Sequence, residues 1–173
     1  MRHSSRSALP LLPFALLTQL STAPGEPSAP HFSDDNTVLV EVTGPVDDAA
    51  LRRILSDPEQ RVRLSARVLQ VDVLGKDGAC TLLRTQIEGL TGPMTYDSRA
   101  CPTRDGWVDT LVSSPDLEAY ESSWILRASD QGTHIEFRCR VILRAAIPDS
   151  LVARAQASSM VDAVRRLMRK VLP

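Results

Sequence analysis

Few residues in this sequence are candidates for catalysis or metal binding, and the histidines are considered first. Three histidines are present, and His3 and His31 lie in the N-terminal region, ahead of the first predicted strand. His134 lies on the outer face of a later strand, with no second ligand beside it at metal spacing. The chain also lacks a nucleophile elbow, a phosphate-cradling glycine-rich loop and a dinucleotide fingerprint. The sequence therefore predicts no metal site and no cofactor.

Hydroxyl groups on predicted strands are better candidates for a site. Six such residues are expected to point inwards: Thr85, Tyr96, Ser98, Thr110, Tyr120 and Ser122. In an apolar cavity they would orient a carbonyl or phenol of a ligand, or act as weak general acids. The alternative is that they are ordinary strand residues whose hydroxyls are satisfied by neighbours or water. A serine hydrolase is disfavoured, because no histidine shares a strand with the serine pairs at 113–114 and 122–123.

The elements that would position these hydroxyls are clearest near the C-terminus. Two stretches of alternating polar and apolar residues flank a turn at 129–132, which predicts a β-hairpin. If opposed residue numbers sum to about 261, Trp124 meets Phe137 and Tyr120 meets Val141 on the apolar face. The same register places Glu121 opposite Arg140 on the solvent-exposed face. A slip of one residue would move both sets to the wrong side of the sheet, so this register is predicted.

A long amphipathic helix should follow this hairpin. Pro148 ends the second strand, and from Leu151 apolar residues recur at intervals of three and four. The apolar face of the helix should pack on the apolar face of the hairpin. The helix would contribute Val161, Val164, Leu167, Met168 and Val171, and the sheet Trp124, Leu126, Ile135, Phe137 and Val141.

The order of these elements resembles the polyketide cyclase/START-like superfamily, also called SRPBCC, which has the helix-grip fold. The residues that carry the resemblance are Tyr120, Glu121, Trp124, Gly132, Thr133, Ile147 and Pro148. It extends over about Thr37 to Leu172. It implies an α+β fold in which an antiparallel sheet curls round the C-terminal helix, with an apolar cavity between them that holds a lipid or another hydrophobic small molecule.

The rest of the chain supplies the other strands of such a sheet. We expect seven strands in all, with a short helical insertion after the first, from Val46 to Ser56, and a rudimentary second helix. A long strand from Val62 to Leu74 changes its apolar phase after Val68, which predicts a bulge or bend. The relatives usually carry two helices at this insertion, which close the mouth of the cavity.

The N-terminus has the three-part layout of a secretory signal peptide. Arg2 and Arg6 precede an apolar run from Ala8 to Leu20, and small residues follow. We expect a signal peptide at 1–25 cleaved after Gly25, a disordered lead-in at 26–36 and a START-like domain at 37–173. The protein would be exported, either to a periplasm or outside the cell. The alternative is an uncleaved anchor or a disordered tail.

The charge of the mature chain bears on its partners. Removing Arg2 and Arg6 from 20 basic residues leaves 18, against 21 acidic residues, a net charge of −3. This balance offers no electrostatic footprint for nucleic acid. The run at 8–20 is too short for a comfortable membrane span, so no stable span is expected in the mature chain. We expect a monomer whose partner is a hydrophobic small molecule or lipid.

The three cysteines are an odd number for an exported chain. A second hairpin is predicted about the turn Gly89 to Pro93, and a pairing sum near 181 places Cys80 opposite Cys101. Directly opposed strand residues lie within the span of a disulfide. We therefore predict that these two are bridged, and that Cys139 stays a buried free thiol. A register different by one or two residues would leave the pair unbridged.

Three functions are compatible with these observations. The first is binding of a hydrophobic small molecule or lipid, without covalent chemistry, in a cavity lined by Tyr96, Ser98, Thr110, Tyr120, Trp124, Phe137, Val141, Val164 and Met168. The second is an enzyme of polyketide cyclase or dehydratase type that uses Tyr96, Tyr120 or Ser98 as acid-base groups in the same cavity. The third is a protein-interaction module in which the cavity is collapsed. The presence of a pocket and the ionisation of its residues distinguish these functions.

Overall fold

A computed structural model describes residues 25–172, and the predicted signal peptide therefore lies almost wholly outside the described residues. Within them, eight strands and three helices follow one another along the chain. The elements are β1 (His31–Phe32), β2 (Val38–Gly44), α1 (Asp48–Ser56), α2 (Pro58–Val62), β3 (Val68–Asp77), β4 (Cys80–Glu88), β5 (Pro93–Pro102), β6 (Gly106–Ser113), β7 (Leu117–Ser129), β8 (Gly132–Leu143) and α3 (Asp149–Val171).

All eight strands form one antiparallel sheet in the order β1-β2-β8-β7-β6-β5-β4-β3. The sheet curls round α3, which confirms the predicted helix-grip architecture. The structure has one strand more than the seven expected. The additional strand is β1, a short edge strand paired with β2.

The β7–β8 hairpin has the register predicted from its two faces. Trp124 lies opposite Phe137 and Tyr120 opposite Val141. The turn requires glycine at 132, because this residue has φ of +114° and an added Cβ would lie 2.2 Å from the carbonyl oxygen of residue 44. Glycine at this position marks the turn in the sequence, and the position of the turn allowed the register to be predicted.

The C-terminal half of α3 closes the hydrophobic core. Val164, Leu167 and Met168 are buried and belong to one cluster with the valines of β2 and with Ile135 of β8. The prediction that the apolar stripe of the helix packs on the apolar face of the hairpin is confirmed. Within residues 25–172, no helix is long and apolar enough to cross a membrane.

Two short helices fill the insertion after β2. Asp47 caps α1 by accepting hydrogen bonds from two backbone N–H groups, and Asp57 caps α2 in the same way, with Pro58 in its first turn. The predicted strand from Val62 begins only at Val68, because Val62 is the last residue of α2. The register of β3 shifts soon after Val68, as the change of phase predicted.

The segment at 26–36 differs from the disordered lead-in that we expected. The N–H of Gly25 donates to the carbonyl oxygen of Thr43 at 3.0 Å, and that of Ser28 donates to Glu41 at 2.7 Å. Further along the segment, His31 pairs with Leu39 of β2. The segment was predicted to be disordered because its proline and serine residues give it no apolar periodicity. Backbone hydrogen bonds along an edge strand do not require such periodicity.

The β4–β5 hairpin also has its predicted register. Arg84 lies opposite Asp97, and their side chains form two hydrogen bonds of 2.8 Å on the outer face. At the open end of the hairpin, Cys80 and Cys101 form a disulfide with 4.3 Å between their Cα atoms. Cys139 is a buried free thiol.

Candidate functional site

A cavity of about 140 Å³ lies between the sheet and the N-terminal part of α3. Four residues of α3 spaced by four, four and three lie on one face of the helix and line it: Val152, Gln156, Met160 and Ala163. Five of the predicted lining residues face it from the sheet: Tyr96, Tyr120, Trp124, Phe137 and Val141. The rings of Trp124 and Phe137 are stacked, with centroids 3.9 Å apart.

Four residues that we predicted to line the cavity do not line it. Val164 and Met168 are on the next turns of α3, where the helix meets β2 and the core is closed. Ser98 is buried but lies away from the cavity wall. Thr110 pairs with Glu121 and Arg99 on the outer face, so the predicted phase of β6 was wrong by one residue.

The corrected phase of β6 brings Asp109 to the inner face, where it meets Arg61 of α2. The Arg61 guanidinium donates to the two Asp109 carboxylate oxygens at 2.8 and 3.4 Å, and also to the backbone carbonyl of Leu55. Both charged residues are only 2–3% exposed. The guanidinium carbon also lies 5.9 Å from the ring centroid of Trp107. This is a buried, bidentate ion pair in the cavity wall.

A short chain of hydroxyls extends from this ion pair along β7. Ser122 donates to an Asp109 carboxylate oxygen at 3.2 Å, and the hydroxyls of Ser122 and Tyr120 lie 3.2 Å apart. The ring of Tyr96 follows, with its centroid 4.8 Å from that of Tyr120. We call Arg61, Asp109, Ser122 and Tyr120 the polar array. The array is one polar strip in an otherwise largely apolar wall.

The ionisable groups beside the array are held neutral. Burial raises the pKa of Tyr96 and of Tyr120 above the usual phenol value, and burial raises the pKa of the Cys139 thiol as well. Tyr120 keeps some accessible surface because it faces the cavity. At neutral pH, both phenols are therefore hydrogen-bond donors, and the thiol is a poor nucleophile.

The opening of the cavity can be located from the exposure of its lining. Arg61, Asp109 and Ser122 of the polar array are buried, whereas Leu90 in the β4–β5 turn is an exposed lining residue. Around it, partly exposed lining residues come from the loop after α2, the same turn and one side of α3, and together they form this set: Ser65, Arg67, Gly89, Leu90, Ala155, Gln156 and Ser159. The hydroxyls of Ser65 and Ser159 lie 3.0 Å apart and join the loop to the helix. We call this set the mouth.

Two buried polar atoms have no hydrogen-bond partner within the described part of the chain. They are Oε1 of Gln156 and Oγ1 of Thr85. Gln156 lines the cavity, so a ligand that donates a hydrogen bond could satisfy its amide oxygen. Thr85 does not line the cavity.

Six polar residues that line the cavity were not predicted from the sequence: Arg61, Ser65, Arg67, Asp109, Gln156 and Ser159. The one signal for Asp109 was its alternation with Trp107 and Leu111 along β6, and this did not assign the phase because valines lie on the other face of the strand. Arg61 carried no such signal, since it lies in a five-residue helix and its partner is 48 residues away.

A second group of chemically capable residues lies on the outer face of the sheet. Ligand atoms of Glu41, His134 and Glu136 lie within 4.8 Å of one another. The statement that His134 has no second ligand beside it was therefore wrong, since Glu41 reaches it from the neighbouring strand at 3.3 Å. Glu136 already pairs with Arg127 and Arg138, so ordinary ion pairing accounts for this cluster.

Solved structures of similar fold come from several organisms. TTHA0849 from Thermus thermophilus is 18% identical, with a TM-score of 0.68 over 79% of this chain and 97% of that one. A START superfamily protein from Mycobacterium smegmatis is 13% identical, with a TM-score of 0.66 over 78% and 96%. The Zhui aromatase/cyclase from a Streptomyces species, R1128, is 16% identical, with a TM-score of 0.61 over 78% and 92%. No protein-family model and no curated protein matches the sequence.

The sheet, the gripped helix and the cavity between them define an α+β protein of helix-grip fold. Its structural neighbours are START/SRPBCC superfamily proteins and polyketide aromatase/cyclases, so the predicted resemblance is confirmed for the fold.

Proposed function

We propose that this protein binds a hydrophobic small molecule or lipid, without covalent chemistry, in the cavity under α3. The observation that carries the proposal is a largely apolar cavity with a mouth at one side and the polar array in its inner wall. An apolar site with a few convergent polar groups is the usual form of a small-molecule site. An open cavity also argues against the alternative of an interaction module with a collapsed cavity.

The size of the cavity sets the size of the ligand. Its volume of about 140 Å³ is close to the roughly 150 Å³ that holds one benzene molecule in an engineered apolar cavity. The cavity in this structure therefore accommodates one ring or a short chain. A larger lipid would have to extend through the mouth or displace it.

The polar array would orient the ligand. Tyr120 is neutral, and because Ser122 gives its single proton to Asp109, Tyr120 is the donor in the bond between Tyr120 and Ser122. The Tyr120 oxygen can accept from a ligand hydroxyl, whereas a ligand carbonyl would have to take over the proton that Ser122 now accepts. Ser122 directs its own proton to Asp109 and retains acceptor capacity. The array thus suits a ligand with one neutral oxygen at its inner end.

The state of two potential nucleophiles in the cavity wall supports the proposal that the site does no covalent chemistry. Cys139 is neutral at physiological pH, and Ser122 donates to a carboxylate that is itself neutralised by Arg61. The Asp109 carboxylate beside Ser122 is engaged on both oxygens by Arg61, which disfavours its use as the general base that activates a nucleophile.

An enzyme of cyclase or dehydratase type is the second candidate, and one observation favours it. Tyr96 and Tyr120 place two neutral phenols side by side on the cavity wall, where a phenol could protonate an oxygen or an enolate of a ligand. Ser98, which we predicted as a third acid-base group, is excluded because it does not line the cavity. Turnover of a polyketone substrate that is lost in Tyr120→Phe, with binding retained, would establish this candidate.

The test of binding uses 1-octanol and calorimetric titration. Ala155→Phe fills the half-exposed side of the cavity and should abolish binding, while Ser158→Phe adds the same ring to the exposed side of the same helix and should bind as the wild type does. Equal affinity in both variants, or no binding to the wild type, would overturn the proposal. Native mass spectrometry and lipid extraction of protein from its own compartment would then identify the natural ligand.

We further propose that the protein is exported and acts as a monomer. The disulfide between Cys80 and Cys101 supports an oxidising compartment. Sequencing of the N-terminus from the fractionated host, and light scattering of the purified protein, test the two statements.

A further inference from the structure

The lining of the cavity carries an uncompensated positive charge. Its charged residues are Arg61, Arg67 and Asp109. Arg61 and Asp109 neutralise each other in the buried ion pair. Arg67 forms no ion pair with any carboxylate in residues 25–172. The net charge of the lining is therefore +1, and it is located at Arg67.

Arg67 lies at the mouth and its backbone is well held. Its N–H donates to the Ser65 hydroxyl at 3.2 Å, and its carbonyl oxygen accepts from the N–H of Glu88 at 2.7 Å. The Glu88 side chain is exposed and does not pair with Arg67. Ser65 in turn contacts Ser159 of α3. The mouth thus contains one arginine and two serine hydroxyls, while the wall behind it is apolar apart from the polar array.

We propose that the ligand is an amphipathic monocarboxylate, whose apolar part fills the cavity and whose carboxylate lies at the mouth beside Arg67. The inference rests on the proposed binding function and specifies its ligand class. A guanidinium matches a carboxylate geometrically and can donate two parallel hydrogen bonds to it. A monocarboxylate balances the single positive charge of the lining.

The opposite orientation is disfavoured by the polar array. A carboxylate at the inner end would lie beside Asp109, and two buried carboxylates at short range cannot both ionise without a large cost. It would also lose its hydration completely, whereas the half-exposed mouth leaves it partly solvated. A ligand of this class therefore binds with its carboxylate at the mouth, and any neutral oxygen that it carries would lie at the opposite, inner end.

The experiment compares octanoate with 1-octanol, which share a chain length and differ in charge. Calorimetric titrations are made with the wild type, Arg67→Gln and Arg67→Lys. The control is Arg63→Gln, which removes an exposed arginine of the same loop that pairs with Glu59. Thermal melts in the absence of ligand check that each variant is folded.

The expected result is selective for charge. Arg67→Gln should weaken octanoate binding about fivefold to tenfold, the effect of losing a charge-assisted hydrogen bond at a partly exposed site, and should leave 1-octanol unchanged. Arg67→Lys should retain most of the octanoate affinity, and Arg63→Gln all of it. Added NaCl should weaken octanoate alone.

Two results would overturn the inference and are distinguishable. If 1-octanol binds and Arg67→Gln changes the affinity for both ligands equally, or for neither, the cavity binds ligands but does not select a carboxylate. If neither ligand binds the wild type, the binding function itself fails, and this inference fails with it.

Discussion

The buried ion pair between Arg61 and Asp109 provides the sharpest test of this structure. Removing Arg61 (Arg61→Met) would leave the Asp109 carboxylate with Ser122 as its one remaining side-chain donor within residues 25–172, and the carbonyl oxygen of Leu55 without its guanidinium donor. Removing the carboxylate (Asp109→Leu) would leave a guanidinium buried without a counter-charge. Either single change should lower the free energy of unfolding by about 3 to 5 kcal/mol.

The double variant separates this prediction from a simple loss of packing. When both partners become apolar, no unpaired charge remains, so the total loss should be well below the sum of the two single losses. Urea denaturation of the wild type, both single variants and the double variant supplies the cycle. Equal slopes against urea concentration are required for the comparison.

An exposed pair on the same sheet is the matched control. Arg84 and Asp97 make the same bidentate contact, but the Arg84 side chain is 53% exposed. Their coupling energy should be about 0 to 1 kcal/mol, because water competes for both charges. A coupling of this small size at Arg61 and Asp109, or single variants within about 1 kcal/mol of the wild type, would refute burial of the ion pair.

The other predictions concern the cavity wall, the disulfide and the pH dependence of stability. Phe137 faces the cavity and is half-buried, so Phe137→Ala should cost less than the roughly 3 to 5 kcal/mol of a fully buried phenylalanine and should weaken 1-octanol binding; a full loss of stability with binding unchanged would place it in the closed core. A non-reduced digest should link the peptides of Cys80 and Cys101, and Cys80→Ser should lower stability by roughly 3 kcal/mol in the chain-entropy model; an unlinked Cys80 peptide from exported protein would contradict the bridge. The hydrogen bond from Arg84 lowers the pKa of Asp97 in the folded protein. The resulting stabilisation is present above the pKa of the unfolded chain and is lost as the pH falls through the pKa of the folded protein. Asp97→Asn should therefore flatten the acid limb of a plot of stability against pH, and an unchanged limb would contradict the pKa shift.

The parts of the fold that were predictable are those with a local signal. In the β7–β8 and β4–β5 hairpins, polar and apolar residues separate onto opposite faces and a turn signal lies between the strands. Together these features determine which residues are paired, so both registers could be predicted from the sequence. The disulfide followed from the second register. The stripe on α3 was equally local, because its period of 3.6 residues is independent of the rest of the chain.

The polar array was not predictable, and the reason is physical. In β6, residues on both faces are a mixture of polar and apolar, so its phase could not be assigned and Thr110 was chosen in place of Asp109. An aspartate in a strand is ordinarily expected to face water, and its burial depends on Arg61 arriving from α2. Such long-range pairing leaves no periodic trace in either segment.

The positions of the disulfide and of the closed hydrophobic core indicate which part of the molecule can move to admit a ligand. The core is closed where the C-terminal half of α3 meets β2, and the cavity lies under the N-terminal half. The disulfide ties the β4–β5 hairpin at its open end, whereas the turn at its other end forms part of the mouth, with Leu90 exposed. Across that turn, the N–H of Gly89 donates to the carbonyl oxygen of Gly92 at 3.0 Å, a contact that can be exchanged for water. A ligand larger than the closed cavity would therefore displace this turn before it disturbed the core, because exposed hydrogen bonds open at a lower free energy than packed side chains separate.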